Sequence, residues 1–247
     1  MNAIHTLEGY YALHDFRTID WRVWNALAHN ERATYLERLE QFLRTHETRD
    51  EQCLGNFSFY EIVGQKADFM QLHMDTSLQA LAQYERNFNQ ADPLQLFKAA
   101  YSYFSIVELS TYTSGDEKVD AEHPMIKKRL FPRTPAYSHV CFYPMNKKRD
   151  GNDNWYMLPL EQRQSMMHAH GLIGRSYKDH IQQIVTGSIG LDDWEWGVTL
   201  YSNDPLWFKK IVYEMRFDEV SARFAEFGDF YVGRRMNRPE LFSWFST

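Results

Sequence analysis

The stretch Met166-Met167-His168-Ala169-His170-Gly171-Leu172-Ile173-Gly174 sets two histidines two residues apart, between two methionines and two glycines. Histidine pairs suggest metal binding, and the spacing tests that idea. On a helix, residues two apart point about 200° from each other, at ~100° per residue, so a regular helix cannot bring both rings to one ion. A strand could, but the preceding LEQRQSMM favours a helix. Met166 and Met167 precede His170 by four and three residues and share its face, whereas His168 falls on the solvated side. His170 then has two readings. It is a core histidine with a hydrogen-bond partner, or it is a single axial ligand to haem iron. One imidazole suffices for the second, because a porphyrin fills the in-plane positions. Gly171 and Gly174 would let a flat macrocycle approach the backbone.

A second stretch, Tyr143 to Arg149, reads YPMNKKR and is followed by NWYML at 154–158. The bland reading is a strand that ends at Pro144 in a basic, solvated loop. Yet the tyrosine stands beside Lys147, Lys148 and Arg149 in a chain whose net charge is −6. Local cations of this kind suit a ligand with several carboxylates.

The elements that must carry these residues follow from hydrophobic periodicity. Leu7–Ile19, Asn56–Val63, Ala67–Met74 and Tyr101–Tyr112 read as strands, with helices over Glu31–Thr45 and Thr76–Asn89. The order then repeats. Tyr137–Tyr143, Ile181–Ile189, Trp194–Tyr201 and Phe230–Val232 are strands. Leu160–His170 is a helix announced by Pro159, and another follows the Asp204-Pro205 cap. Each half is β-α-β-β-α-β, a ferredoxin-like unit, so the fold class is α+β. We divide the chain into an amino-terminal half, 1–113, a connector, 114–136, and a carboxy-terminal half, 137–247. The connector is polar around its three prolines and is expected to contribute to the site.

Bulk composition narrows the function. At 247 residues with 44% hydrophobic and 24% charged residues, a packed core is expected. The 16% aromatic content suits a large core, an oligomer interface or a pocket for a flat ligand. The acidic balance argues against nucleic acid as a partner. Cys53 and Cys141 make neither a disulfide framework nor a CxxC motif. With no signal-peptide pattern and no apolar run near the ~18 residues of a membrane span, a cytoplasmic location is expected.

Taken together, YPMNKKR, NWYML, HGLIGR, TGSIGLDDWEWGVTL and KKIVYEMRFDEVSARFAEFG resemble the coproheme decarboxylases. These are Gram-positive bacterial members of the chlorite-dismutase-like haem proteins. GYYALHDFRTIDW and YSYFSIVELS also fit, so the resemblance spans nearly the whole chain. It implies a dimeric α/β-barrel type of fold with two ferredoxin-like halves, haem only in the carboxy-terminal half, and a homopentamer. It implies that hydrogen peroxide oxidises bound iron coproporphyrin III (coproheme). Two of its four propionates become vinyl groups, carbon dioxide leaves, and haem b results. A coproporphyrin ferrochelatase upstream would be a transient partner. The resemblance makes His170 the proximal iron ligand and Tyr143 the radical-carrying tyrosine. It makes Tyr143, Pro144, Met145, Asn146 and Lys147 the substrate loop. Arg129 and Ser221 become further propionate-binding positions, and Gln183 a distal residue. Chlorite-degrading relatives carry arginine at that distal position, so Gln183 speaks for decarboxylation. The alternatives are a haem carrier or sensor, a general haem peroxidase or chlorite-degrading enzyme, and a haem-free scaffold.

Overall fold

A computed structural model describes residues 3, 5–52, 54–110 and 120–246. Cys53 lies outside them, as do 111–119, where the predicted Tyr101–Tyr112 strand ends and the connector begins. The chain forms two compact units, one made of Tyr10–Phe104 and Tyr231–Thr247, the other of Met1–Gly9 and Ser105–Phe230.

In chain order the elements begin with β1 (Thr6–Ile19), α1 (Trp21–Ala26), α2 (His29–Glu51), β2 (Asn56–Val63), β3 (Phe69–Asp75), α3 (Leu78–Ala91) and β4 (Phe97–Ser110). Within the Tyr10–Phe104 unit the strands run in the order β4-β1-β3-β2, the ferredoxin-like arrangement. β3 is antiparallel to both neighbours, with Leu13 opposite His73 and Phe57 opposite His73. The leucines at helical spacing on α2 do what their period predicts. Leu39 and Leu43 join Leu81 and Phe88 of α3 over Leu13, Phe57, Phe59 and Phe69. Ser77 caps α3 by accepting from the Ala80 N–H.

The other unit continues with α4 (Pro124–Leu130), β5 (His139–Lys147), the short pair β6 (Arg149–Asp150) and β7 (Asp153–Asn154), and α5 (Leu160–Ser176). Then come β8 (Gln182–Gly187), β9 (Trp196–Ser202), α6 (Leu206–Met215), α7 (Glu219–Phe224) and β10 (Ala225–Phe227). Its strand order is β10-β5-β9-β8, the same arrangement again, with all pairs antiparallel. The chain closes with β11 (Tyr231–Arg235), paired to β2, and α8 (Arg238–Ser243). The α+β class and the ferredoxin-like halves are as the sequence predicts, except that β10 closes the second half and the strand expected there, Phe230–Val232, falls on β11, which pairs with β2.

Three local expectations change. α4 forms inside the segment read as connector, with Pro124 in its first turn and His123 capping it. α5 does not stop at His170 but runs on to Ser176. β5 does not end at Pro144. The Pro144 carbonyl accepts from the Gly228 N–H at 2.9 Å, so the missing proline N–H lies on the same side, at the end of the short β10 ladder. No helix among the described residues is long and apolar enough to cross a membrane.

Candidate functional site

α5 begins directly behind Pro159 and packs through Met166 and Met167 against Trp155, Val220 and Phe224. This fixes the rotation of the helix. His168 is exposed and His170 half-buried, as the helical phase requires. His170 Nδ1 lies 3.0 Å from Asp218 Oδ2. Asp218 is also the N-cap of α7, where its Oδ1 accepts from the Val220 N–H at 2.9 Å. Burial pushes the Asp218 carboxyl upward, but bonds from His170, Ser221 and Val220 outweigh it and hold it below its ordinary range. An ionised Asp218 accepts the Nδ1–H, which leaves Nε2 as the His170 nitrogen able to bind a metal. Among the described residues, no group of three or more His, Cys, Asp or Glu side chains can hold an ion. A metal held by His170 would take its other ligands from outside this set of side chains, as iron in a porphyrin does. A Cβ at Gly174 would stand 3.5 Å from Met215 Cε, so the glycine faces α6, and Gly171 is turned toward Arg175.

β5 supplies the facing residues. By strand alternation Cys141, Tyr143, Met145 and Lys147 project from one face, and Pro144 and Asn146 from the other. The register carries this face across β9 and β8. Cys141 pairs with Leu200, which pairs with Gln183, and Tyr143 pairs with Val198, which pairs with Val185. Tyr143 is 8% exposed. Its ring stacks on Phe230 with centroids 4.5 Å apart, and Phe227 lies at 5.7 Å. Burial raises the Tyr143 phenol above its ordinary range, Cys141 adds to this, and the Arg216 guanidinium opposes it. The phenol therefore keeps its hydrogen at any working pH.

Lys147 is 9% exposed, so this lysine is not solvated, whereas Arg149 two residues on is exposed. Its Nζ sits 5.0 Å from the centre of the Trp155 ring. Burial lowers its ammonium to about 8, against the pull of the Asp218 and Glu195 carboxylates. Lys147, Asp218, His170 and Ser221 thus form one cluster. Tyr143 stands four residues back along β5, about 13 Å away at ~3.3 Å per residue. Gln183 lies on the same sheet face and is exposed. Ser221 is buried and donates to Asp218. Arg129 is exposed on α4 and makes no ion pair among the described residues. Asn146 Oδ1 accepts from the Glu195 N–H at 2.8 Å.

Sequence reasoning missed Asp218 and Glu195. The signal for Asp218 was its place before EVSAR, where an aspartate caps a helix. Nothing local marks Glu195.

A family model described as chlorite dismutase matches residues 32–236. A solved structure described as a novel haem-binding protein from Thermus thermophilus is 44% identical, with TM-score 0.94, covering 99% of this chain and 98% of that one. A chlorite dismutase variant from Candidatus Nitrospira defluvii is 16% identical with TM-score 0.80, covering 98% and 97%. At that identity the second likeness speaks for the fold alone.

Proposed function

Since this chain belongs to the chlorite dismutase family, we propose that it is a coproheme decarboxylase, converting iron coproporphyrin III to haem b with hydrogen peroxide. The observation that carries the reading is one face of β5 bearing both Tyr143 and Lys147, the latter drawn by the Asp218 carboxylate that bonds His170 Nδ1. The haem-binding protein that shares 44% of its sequence supports an iron porphyrin as the ligand. A carrier would need His170 but not a buried tyrosine and a buried cation on the facing strand.

Each propionic side chain and one peroxide give one vinyl, one carbon dioxide and two waters. Bound iron supplies the oxidising chemistry with peroxide. The residues of the chain do the rest. His170 Nε2 would hold the iron, its ring fixed by Asp218. Gln183 is neutral. It could orient an oxidant but would add no charge to stabilise a leaving anion. Tyr143 would give up its phenolic hydrogen, and its radical would take a hydrogen atom from a propionate chain. That chain would then pass one further electron to the peroxide-derived oxidant and release carbon dioxide, leaving the vinyl. Lys147 and Arg129 bind the carboxylates and decide which chain lies near Tyr143. The deciding experiment adds iron coproporphyrin III and peroxide and weighs the porphyrin products. Loss of two carbon dioxides together with four hydrogens, as two vinyl groups require, supports the proposal, and an unchanged mass refutes it.

The two cations make their own prediction. A hydrogen bond to a charged group contributes about 1.5–3 kcal/mol, so Lys147→Ala is expected to weaken coproheme binding roughly ten- to a hundredfold. Arg129→Ala, at an exposed site, should act in the same direction with a smaller effect. Because the Lys147 ammonium is lowered to about 8, its charge is present below that pH and lost above it. Coproheme affinity should be level below about pH 8 and fall on the alkaline side. The fall should be absent from Lys147→Ala. Spectral titrations across this range decide it, and parent-like affinity in both variants would remove the carboxylate clamp.

A further inference from the structure

The β5–β9 ladder ends at Met145 opposite Trp196, and the β8–β9 ladder at Gly187 opposite Trp196. β5 continues, paired on its other side to β10 through Lys147 opposite Ala225. The Pro144 carbonyl and the Lys148 N–H both point toward that side, bonding Gly228 and Phe224. Strand alternation therefore turns the Lys147 N–H the other way, past the end of β9. A buried N–H in that position needs an acceptor.

Glu195 supplies it. Its Oε2 accepts from the Lys147 N–H at 2.8 Å. Its own N–H donates to Asn146 Oδ1, also at 2.8 Å. Each main chain is thus held by a side chain of the other, where ladder bonds have run out. The Glu195 carbonyl accepts from the Ser188 N–H at 2.8 Å, which ties the clasp to the end of β8. The second carboxylate oxygen lies 3.6 Å from Arg149 Nη1. Glu195 is buried, and a buried carboxylate is retained only where bonds of this kind offset its desolvation. An apolar side chain of similar size would leave the Lys147 N–H orphaned.

We infer that Glu195 is a positioning residue, which sets the main-chain path of Met145–Lys147 and so aims the Lys147 side chain. The inference rests on the coproheme reading only for the consequence it has on substrate binding. It therefore has two readouts, amide exchange in the ligand-free protein and coproheme affinity.

Glu195→Ala should speed exchange of the Lys147 amide at least about tenfold and weaken coproheme binding by roughly the same factor. Glu195→Gln keeps an acceptor and should stay within about threefold of the parent in both. The double variant Glu195→Ala/Lys147→Ala should bind no more weakly than Lys147→Ala alone, because the clasp acts through that side chain. A general loss of stability would instead add to the Lys147 effect. Unchanged Lys147 exchange in Glu195→Ala, a Gln variant as impaired as Ala, or additive losses would each overturn the inference. Faster exchange with undiminished coproheme binding in Lys147→Ala would uphold the clasp and refute the coproheme reading of this face. If Glu195→Ala does not fold, Asn146→Ala cuts the other arm. It must speed exchange of the Glu195 amide, and unaltered exchange there overturns the inference.

Discussion

Tyr143→Phe is expected to bind coproheme nearly as tightly as the parent protein and to form no haem b. The substitution keeps the ring, so stacking on Phe230 at 4.5 Å and packing near Phe227 survive. It deletes one hydroxyl. If that hydroxyl served only as a hydrogen-bonding group, its loss would cost about 0.5–1.5 kcal/mol, at most roughly tenfold in affinity, and turnover would follow occupancy. If it carries the radical, affinity holds while conversion collapses, because the loss falls on the reaction and not on ground-state binding. The charge balance is unaffected, since burial keeps the phenol protonated in the parent as well. Peroxide titration of the coproheme-loaded variant, with porphyrin products resolved by mass, separates the two cases. A near-normal yield of the doubly decarboxylated product would remove Tyr143 from the mechanism.

The phase of α5 and the strand alternation were legible because both depend on local periodicity. Met166 and Met167 dictated which histidine turns inward, and the structure keeps His170 inward and His168 exposed. The order of strands and helices was legible for the same reason. What escaped the sequence was set by pairing between distant segments. Pro144 is a strand breaker by propensity, yet β5 passes through it because its missing donor falls at the end of the β10 ladder. Gly174 stands beside Met215 on α6, a neighbour 41 residues along the chain that local pattern does not reveal. α4 was hidden by a short, basic sequence without an apolar stripe, so its proline was read as connector chemistry.

The same distinction governs the candidate site. Tyr143 and Lys147 are four apart, and their common face follows from the strand period alone. Asp218 is 48 residues from His170 and Glu195 is 48 from Lys147, and neither partnership leaves a trace in local composition. Both are carboxylates that finish a structural task and also act on the site. Asp218 caps α7 with one oxygen and holds the imidazole with the other. Helix capping therefore fixes the ring, and a change at the cap reaches the imidazole, and with it the Nε2 proposed to bind iron, through a single side chain.

If His170 holds the iron as proposed, His170→Ala is expected to leave coproheme associated through its carboxylates while removing the imidazole ligand. The electronic spectrum should change in position as well as intensity, and added free imidazole should restore it in part. His168→Ala should leave the spectrum unchanged, since that side chain is exposed on the far side of α5. Asp218→Asn tests the step between. An asparagine amide does not offer Nδ1–H the same charged acceptor, so the ring loses its fixed orientation. Outer partners of this kind are worth roughly ten- to a hundredfold in metal affinity, so the Asp218 variant should fall between parent and His170→Ala. Asp218 also caps α7, but asparagine caps a helix about as well as aspartate, so Asp218→Asn keeps the cap and changes only the acceptor offered to His170. A shifted spectrum in Asp218→Asn means that the carboxylate acts through the imidazole, and a parent-like spectrum means that it does not. A spectrum unchanged in His170→Ala but altered in His168→Ala would assign the ligand to the other histidine and take the proposed site down with it.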